Sequence, residues 1–146
     1  MIIFEEAPKA GRDRGRAEAK PIDPKQLDSH KVFRVEREES VFVVVPQGDS
    51  ARFHYADVQT EADRIVLLIE QSAPVQVVID FGKAGYFGSV TLGLIVSMSR
   101  KATETGGKAV LCNAADRTHE ILKTMKLLER WPYFSSREEA AASMNG

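Results

Sequence analysis

The sequence predicts a single small α/β domain with a mixed, mainly parallel sheet of about four to five strands and about four helices. From residue 40 onward, β-branched runs alternate with segments in which apolar residues recur at helical spacing, an order that implies right-handed crossovers and parallel pairing. The 146 residues suit one domain, and a hydrophobic content of 43% is enough for a core.

Residues 1–30 differ in composition from the rest of the chain. They contain AGRDRGRAEAK and PIDPKQLDS, with charges of both signs, three prolines and little apolar periodicity. Such a segment buries too little apolar surface to offset the entropy lost on ordering. We therefore expect a flexible N-terminal arm, alternatively a docking tail for a partner, followed by the folded domain at residues 31–146.

The first elements of the domain are predicted to be an antiparallel strand pair. VFRVE, from Val32, alternates apolar and polar residues as a half-buried strand does, and VFVVV, from Val41, is nearly continuous and β-branched, as in a central strand. PQGDS follows as a loop, because Pro46 ends the run and Gly48 and Asp49 supply turn residues.

A helix and a buried strand come next. The helix should turn one apolar face inward and place its charged residues on the other sides. The predicted inward residues are Tyr55, Val58, Ala62, Ile65 and Ile69, and the outward ones are Asp57, Glu61, Asp63, Arg64 and Glu70. Pro74 ends the helix, and VQVVIDF reads as a buried strand that ends at Asp80.

The loop FGKAGYFG leads into a second helix, capped at its C-terminus by Gly106 and Gly107. KAVLC is the next strand, Asp116 is the predicted N-cap of a third helix, and Ser136 to Glu139 have capping-box spacing before the last helix, REEAAASM. The predicted inward residues are Leu94, Ile95, Met98 and Ala102 in the second helix, and Ile121, Leu122, Met125 and Leu128 in the third.

Charge and hydropathy argue against several partners. The formal net charge of −1 gives no overall electrostatic reason to bind nucleic acid or an anionic membrane. No apolar run approaches the roughly 20 residues needed to span a bilayer. MIIFEEAPK carries glutamates directly after its apolar residues, unlike a signal peptide. We expect a soluble, cytoplasmic protein.

Catalytic, metal and cofactor sites are not predicted. His30, His54 and His119 lack metal-ligand spacing and are expected at the surface or at helix caps, while Cys112 is expected to be a buried thiol. FGSVT around Ser89 lacks the second glycine of a nucleophile elbow, and GKAGYFG lacks the GxGxxG order. A phosphate-binding loop with Lys83 stays a weak alternative. Asp80, at a strand end, is expected to cap the following loop.

The segment VVIDFGKAGYFGSVTLGLIVSMSRKATETGGKAVLCN resembles the signature of the STAS domain family, found in bacterial anti-sigma factor antagonists and in sulphate transporter tails. Asp80 matches the strand-end Asp, Tyr86-Phe87 the apolar pair, and Leu92-Gly93 the end of the motif. LLERWPYFSSREEAAASM resembles the closing segment of the family. The resemblance covers roughly residues 31–144 and is strongest in the second half.

The resemblance implies a non-enzymatic module that binds an anti-sigma factor of the serine kinase type. In phospho-regulated members, the hydroxyl residue directly after the motif's Asp receives phosphate; this position is Ser89, and Thr91 is a lesser candidate. Gly88 replaces the Asp, and Val90 and Thr91 are further departures from the motif. The expected partner-binding residues are Lys83, Tyr86, Phe87, Gly88, Ser89, Val90 and Leu92.

The residues themselves make a modification at Ser89 physically reasonable. A serine at a helix start can cap backbone N–H groups, and a phosphate there would face the positive end of the helix dipole. Alternatives stay open for both the site and the function. For the site, the alternative is that Ser89 is only an N-cap, with Gly88 chosen for backbone conformation. For the function, the alternatives are a degenerate domain of the same fold that serves as a scaffold or small-ligand sensor, and an enzyme or nucleotide-binding protein that uses Asp80, Lys83 and the glycines of the loop.

Overall fold

The computed structural model describes residues 21–38, 40–48, 52–85 and 88–145. Five α-helices and five strands lie in these ranges. In chain order they are α1 (Pro24–Asp28), β1 (Phe33–Glu38), β2 (Val41–Pro46), α2 (Tyr55–Ser72), β3 (Gln76–Asp80), α3 (Ser89–Glu104), β4 (Lys108–Cys112), α4 (Asp116–Thr124), a 3₁₀ turn (Leu127–Glu129), β5 (Tyr133–Phe134) and α5 (Arg137–Asn145).

The five strands form one sheet in the order β1-β2-β3-β4-β5. β1 pairs antiparallel with β2, and the three following pairs are parallel. The predicted α/β class and mixed, mainly parallel sheet are confirmed. The sequence analysis did not identify β5, because two residues of WPYF are too short to show a period; their pairing with Leu111 and Cys112 makes them a strand.

The alternating residues of the central strands divide the core into two layers. Phe42, Val44, Val77, Ile79 and Leu111 point to the face covered by α2 and α3. The residues between them point to the opposite face, where Ala140 and Met144 of α5 cover them; these are Val41, Val43, Val45, Val78, Val110 and Cys112. Burial on both faces explains why these strands read as continuous apolar runs.

Four of the five inward residues predicted for α2 are buried, but Tyr55 is 62% exposed. Tyr55 is the first residue of the helix, where Ala56 and Asp57 are exposed as well. Glu61, predicted to face outward, is 6% exposed. It is buried because its carboxylate accepts the backbone N–H groups of Lys31, Val32 and Phe33, which enter the edge strand.

The predictions for α3 and α4 hold in the helix interiors and fail at the ends. Ile95, Met98, Ala102 and Leu122 are buried, and Leu94, Ile121 and Leu128 are partly buried against the same core. Met125 is 56% exposed because α4 has ended at Thr124. The N-cap of α4 is Ala115, so Asp116 is the first helical residue, where its charge favours the helix dipole.

The last helix is capped as predicted on one side only. The Ser136 hydroxyl accepts the N–H of Glu139 at 3.1 Å. The Glu139 carboxylate accepts the hydroxyl of Ser135 at 2.8 Å. A neighbouring serine therefore takes the carboxylate that a full capping box would use.

Ordered structure begins before residue 31, the predicted start of the domain. Pro24–Asp28 form a helical turn in which Asp23 and Gln26 complete a capping box, and His30, expected at the surface or at a cap, is buried. The remainder of the predicted arm, residues 1–20, lies outside the described residues. Among the helices that the structure describes, none has the length and apolar character needed to cross a membrane.

We expect substitution by alanine to have opposite effects on stability at Gly107 and at Gly93. A Cβ at Gly107 would collide with the backbone carbonyl of Val75, whereas one at Gly93 meets no atom within 4 Å. We expect Gly107→Ala to lower the free energy of unfolding by about 1–3 kcal/mol through overpacking, and Gly93→Ala, inside α3, to raise it by about 0.5–1 kcal/mol. Urea denaturation measures both, and equal effects would contradict the close approach at residue 107.

Candidate functional site

The segment between β3 and α3 carries most of the residues singled out from the sequence. α3 begins at Ser89, as predicted, but its N-cap is Gly88, which has no side chain with which to cap the helix. The Gly88 carbonyl accepts the N–H of Leu92 at 3.1 Å. Ser89 is therefore the first helical residue and not the N-cap that one alternative assumed, and among the described residues no side chain accepts the first N–H groups of the helix.

The first turn of α3 divides the predicted binding residues into exposed and buried ones. Ser89 is exposed and Val90 is 50% exposed, whereas Thr91 and Leu92 are 4% and 6% exposed. Two predicted site residues are thus turned away from the surface: Leu92 packs into the core, and the Thr91 side chain is buried on the same side of the helix. Ser89 and Val90 remain at the surface.

The backbone at Gly88 does not require glycine. Its φ of −89° and ψ of −175° describe an extended conformation that any residue adopts, and a Cβ there would meet, apart from its chain neighbours, no atom of the described residues within 4 Å. The alternative that Gly88 is present for backbone conformation is therefore wrong. The fold leaves room for the aspartate that the family motif has at this position.

The loop before α3 is attached to the end of β2. The Gly48 N–H donates to the Lys83 carbonyl at 2.9 Å, and the Gly85 N–H donates to the Gly48 carbonyl at 2.8 Å. Gly48 and Ala84 form a parallel bridge, and the Lys83 side chain is exposed beside it. These bonds hold the loop in place up to Gly85; Tyr86 and Phe87, two predicted binding residues, lie outside the described residues.

Asp80 anchors the start of the same loop. One carboxylate oxygen accepts the N–H of Gly82 at 2.8 Å and the amide of Asn113 at 3.1 Å, and the other accepts Nε of Arg137 at 2.7 Å. Burial opposes ionisation, but these hydrogen bonds outweigh it and hold the pKa of Asp80 below its ordinary value. The predicted loop-capping role of Asp80 is confirmed, and its oxygens are occupied by structural partners.

Gly82 is required for this arrangement. A Cβ on Gly82 would collide with the Asn113 side-chain amide and lie 3.0 Å from the Asp80 carboxylate. Asn113 itself has φ of 63°, a left-handed conformation that asparagine tolerates better than most residues. A tight approach of the two strand ends therefore shapes the base of the loop.

Arg137 is a key residue that the sequence analysis placed only within a helix cap. It joins Asp80 on β3 to β1, because Nη1 lies 2.7 Å from Glu36 and 3.5 Å from Glu38. Burial acts against its charge, but the bonds to Asp80 and Glu36 raise the pKa of Arg137. No local pattern could reveal these partners, since 57 residues separate Arg137 from Asp80 and 101 separate it from Glu36.

The remaining candidates for chemistry are structural. Burial raises the pKa of the Cys112 thiol to about 12, and Asp80 adds to this, so the thiolate nucleophile is disfavoured. The His119 ring packs edge-on against Tyr133 with centroids 4.8 Å apart. Within residues 21–145, apart from the positions not described, no group of three His, Cys, Asp or Glu side chains could hold a metal ion.

Comparison with known proteins gives a consistent family assignment. The family model described as STAS domain matches residues 27–140. A curated relative, BtrV of Bordetella bronchiseptica, whose name describes it as a candidate anti-sigma factor antagonist, is 29% identical over 68 residues, which are 47% of this chain and 59% of the relative. The match thus spans less than two thirds of that relative.

Solved structures of this class share the fold. An anti-sigma-factor antagonist (STAS) domain protein from Planctomyces limnophilus is 26% identical with a TM-score of 0.65, covering 78% of this chain and 98% of that one. SpoIIAA in its unphosphorylated form superimposes with a TM-score of 0.61 at 20% identity, covering 75% and 92% of the two chains. Its phosphorylated form, from Bacillus, gives 0.60 at 20% identity, covering 76% and 96%.

We expect a large loss of stability when the guanidinium of Arg137, which pairs with Asp80, Glu36 and Glu38, is removed. Arg137→Met keeps the side-chain length but leaves the buried Asp80 carboxylate without its ion partner, and we expect the free energy of unfolding to fall by about 2–4 kcal/mol. Arg34→Met is the matched control: Arg34 also pairs with Glu36 but is 60% exposed, and we expect a loss below about 0.5 kcal/mol. Equal losses in urea denaturation would contradict the role given to Arg137.

Proposed function

The chain belongs to the STAS domain family, and from this premise we propose that it is a regulatory protein-binding module of the anti-sigma factor antagonist type. Its partner is an anti-sigma factor of the serine kinase type, and binding that partner releases a sigma factor. The name of BtrV and the description of the Planctomyces limnophilus protein support this assignment. The module acts by binding and uses no catalytic residue or cofactor of its own.

The proposed docking surface consists of Lys83, Gly88, Ser89, Val90 and Gly93. Lys83, Ser89 and Gly93 are exposed, and Val90, next to Ser89, is 50% exposed. Gly93 lies one helical turn after Ser89, so a partner can approach the helix backbone closely there. Tyr86 and Phe87 belong to the proposal as neighbours of this surface in sequence.

Phosphorylation of Ser89 is the proposed switch. An exposed hydroxyl is open to a kinase, and the N-terminus of a helix of 16 residues, which no described side chain caps, tolerates a dianion through its backbone N–H groups and its dipole. The folded domain is therefore little affected, whereas a docked partner meets new charge and bulk beside Val90. The observation that carries the proposal is the exposure of Ser89 and Val90 at the start of α3.

A second candidate function follows from Gly88. The chain lacks the aspartate of the family motif although its backbone would accept one, which favours a scaffold or a small-ligand or nucleotide sensor without a phospho-switch. A thermal-shift panel of ATP, GTP and their diphosphates separates the two functions. A saturable shift, together with no mass change on kinase treatment, would select the sensor.

Ser89 predicts a site-specific phosphorylation. After incubation with the anti-sigma kinase and ATP, we expect the intact mass to rise by one phosphate in the wild type and in Ser97→Ala, but not in Ser89→Ala. Ser97 is the matched control because it is exposed on the same helix. We expect Ser89→Glu to bind the kinase about tenfold more weakly than the wild type in calorimetry. A phosphate that persists in Ser89→Ala would refute the assignment.

Val90 predicts where the partner docks. Val90→Arg should weaken anti-sigma factor binding by about tenfold or more, since it places a charge in an apolar contact. Met125→Arg is the control, because Met125 is equally apolar and 56% exposed but belongs to the end of α4. Circular dichroism should show both variants folded. If Met125→Arg weakens binding as much as Val90→Arg, the docking surface is elsewhere.

A further inference from the structure

A buried carboxylate fastens the segment of residues 22–33, here called the strap, to α2. The two Glu61 oxygens accept the N–H groups of Lys31, Val32 and Phe33 at 2.8, 2.9 and 3.0 Å. At the other end of the strap, the Ile22 N–H donates to the Gln71 side chain at 3.1 Å. Three N–H groups that donate to one carboxylate form a strong and localised attachment, because hydrogen bonds to a charged group are stronger than bonds between neutral groups.

His30 lies directly beside this attachment with its side chain fully buried. Its Nδ1 is 3.2 Å from the Phe33 carbonyl, which can only accept, so Nδ1 carries the hydrogen. Its Nε2 is buried and has no hydrogen-bond partner in the part of the chain that the structure describes. The latched strap therefore fits the neutral ring, and a second proton would add a buried N–H without an acceptor.

The charges around His30 act in both directions. Glu61 on α2 lies 3.8 Å from Nδ1, but its oxygens already receive three backbone N–H groups. Burial lowers the pKa of His30, Glu61 and the Phe33 carbonyl oppose this, and Arg64 adds to the lowering. The other charged residues lining the spaces beside His30 and Glu61 are Asp28 on α1, Lys31 in the strap, Arg34 and Glu36 on β1, and Asp57 on α2.

We propose that the strap is a pH-sensitive latch that opens when His30 takes up a proton. The closed strap favours the neutral ring, whereas in the open strap the solvated ring takes up a proton at the ordinary pKa of histidine. The closed strap is therefore most stable above about pH 6.5. Each pH unit below that value raises the equilibrium constant for opening by up to about tenfold, until His30 is protonated in the closed form as well. Opening releases the amino end of β1, an edge strand of the sheet.

Amide exchange of the full-length chain tests the latch. Between about pH 7.5 and about pH 5.5, after correction for intrinsic exchange rates, we expect the protection of residues 22–33 to fall about tenfold in the wild type. In His30→Asn, the asparagine amide can donate to the Phe33 carbonyl but does not titrate, so we expect the protection of residues 22–33 to fall by less than about twofold. Peptides from β3 should keep their protection in both, which excludes global unfolding.

His54→Asn is the matched control, since His54 is an exposed histidine at the N-cap of α2, and it should respond as the wild type does. An unchanged wild-type strap, or an equal response in His30→Asn, overturns the proposal. If His30→Asn does not fold, ring titration of the wild type by NMR decides, with His54→Asn and His119→Asn assigning the other two histidines. A His30 midpoint below about 6.5 supports the latch, and one at or above that value overturns it.

Discussion

The carboxylate of Asp80 is the interaction on which the rest of the site depends. It is buried at the end of β3, where ionisation is costly, and it is held ionised by bonds from Gly82 in the loop, from Asn113 just after β4 and from Arg137 in α5. Arg137 pairs with Asp80 and also with Glu36, so one cation on α5 connects β3 and β1. The loop leaves β3 in a defined direction because the Phe81 N–H donates to the Cys112 carbonyl and the Gly82 N–H donates to Asp80.

A defined loop explains how the proposed binding surface and a stable core share one helix. The Gly48 bonds and the Asp80 bonds hold the loop on both sides of Lys83, and the third and fourth residues of α3 enter the core. The first two residues must then face outward, because helical geometry places them on the opposite side. A modification at Ser89 can change what a partner meets without changing how Leu92 or Ile95 packs. This separation suits a module whose proposed function is regulated association.

The sequence predicted most of the fold and only part of the site. Runs such as VFVVV and KAVLC identify strands because residues buried on both faces must all be apolar, and Val58 to Ile69 identify a helix because their spacing matches its turn. Helix ends were less predictable: Tyr55 and Met125 continue the apolar pattern but lie beyond the core. Glu61 read as a solvent-facing residue, since its N–H partners lie about thirty residues away in the chain.

The sequence by itself determined the α/β class, the order of most elements, the start of α3 at Ser89 and the loop-capping role of Asp80, because these follow from local periodicity and from turn chemistry. Only the tertiary structure decided that Arg137 completes the Asp80 cluster, that Thr91 and Leu92 are buried while Val90 is not, and that His30 is enclosed beside Glu61. These features depend on which distant segments of the chain come into contact. Such contacts stabilise the fold but produce no periodic pattern in the local sequence.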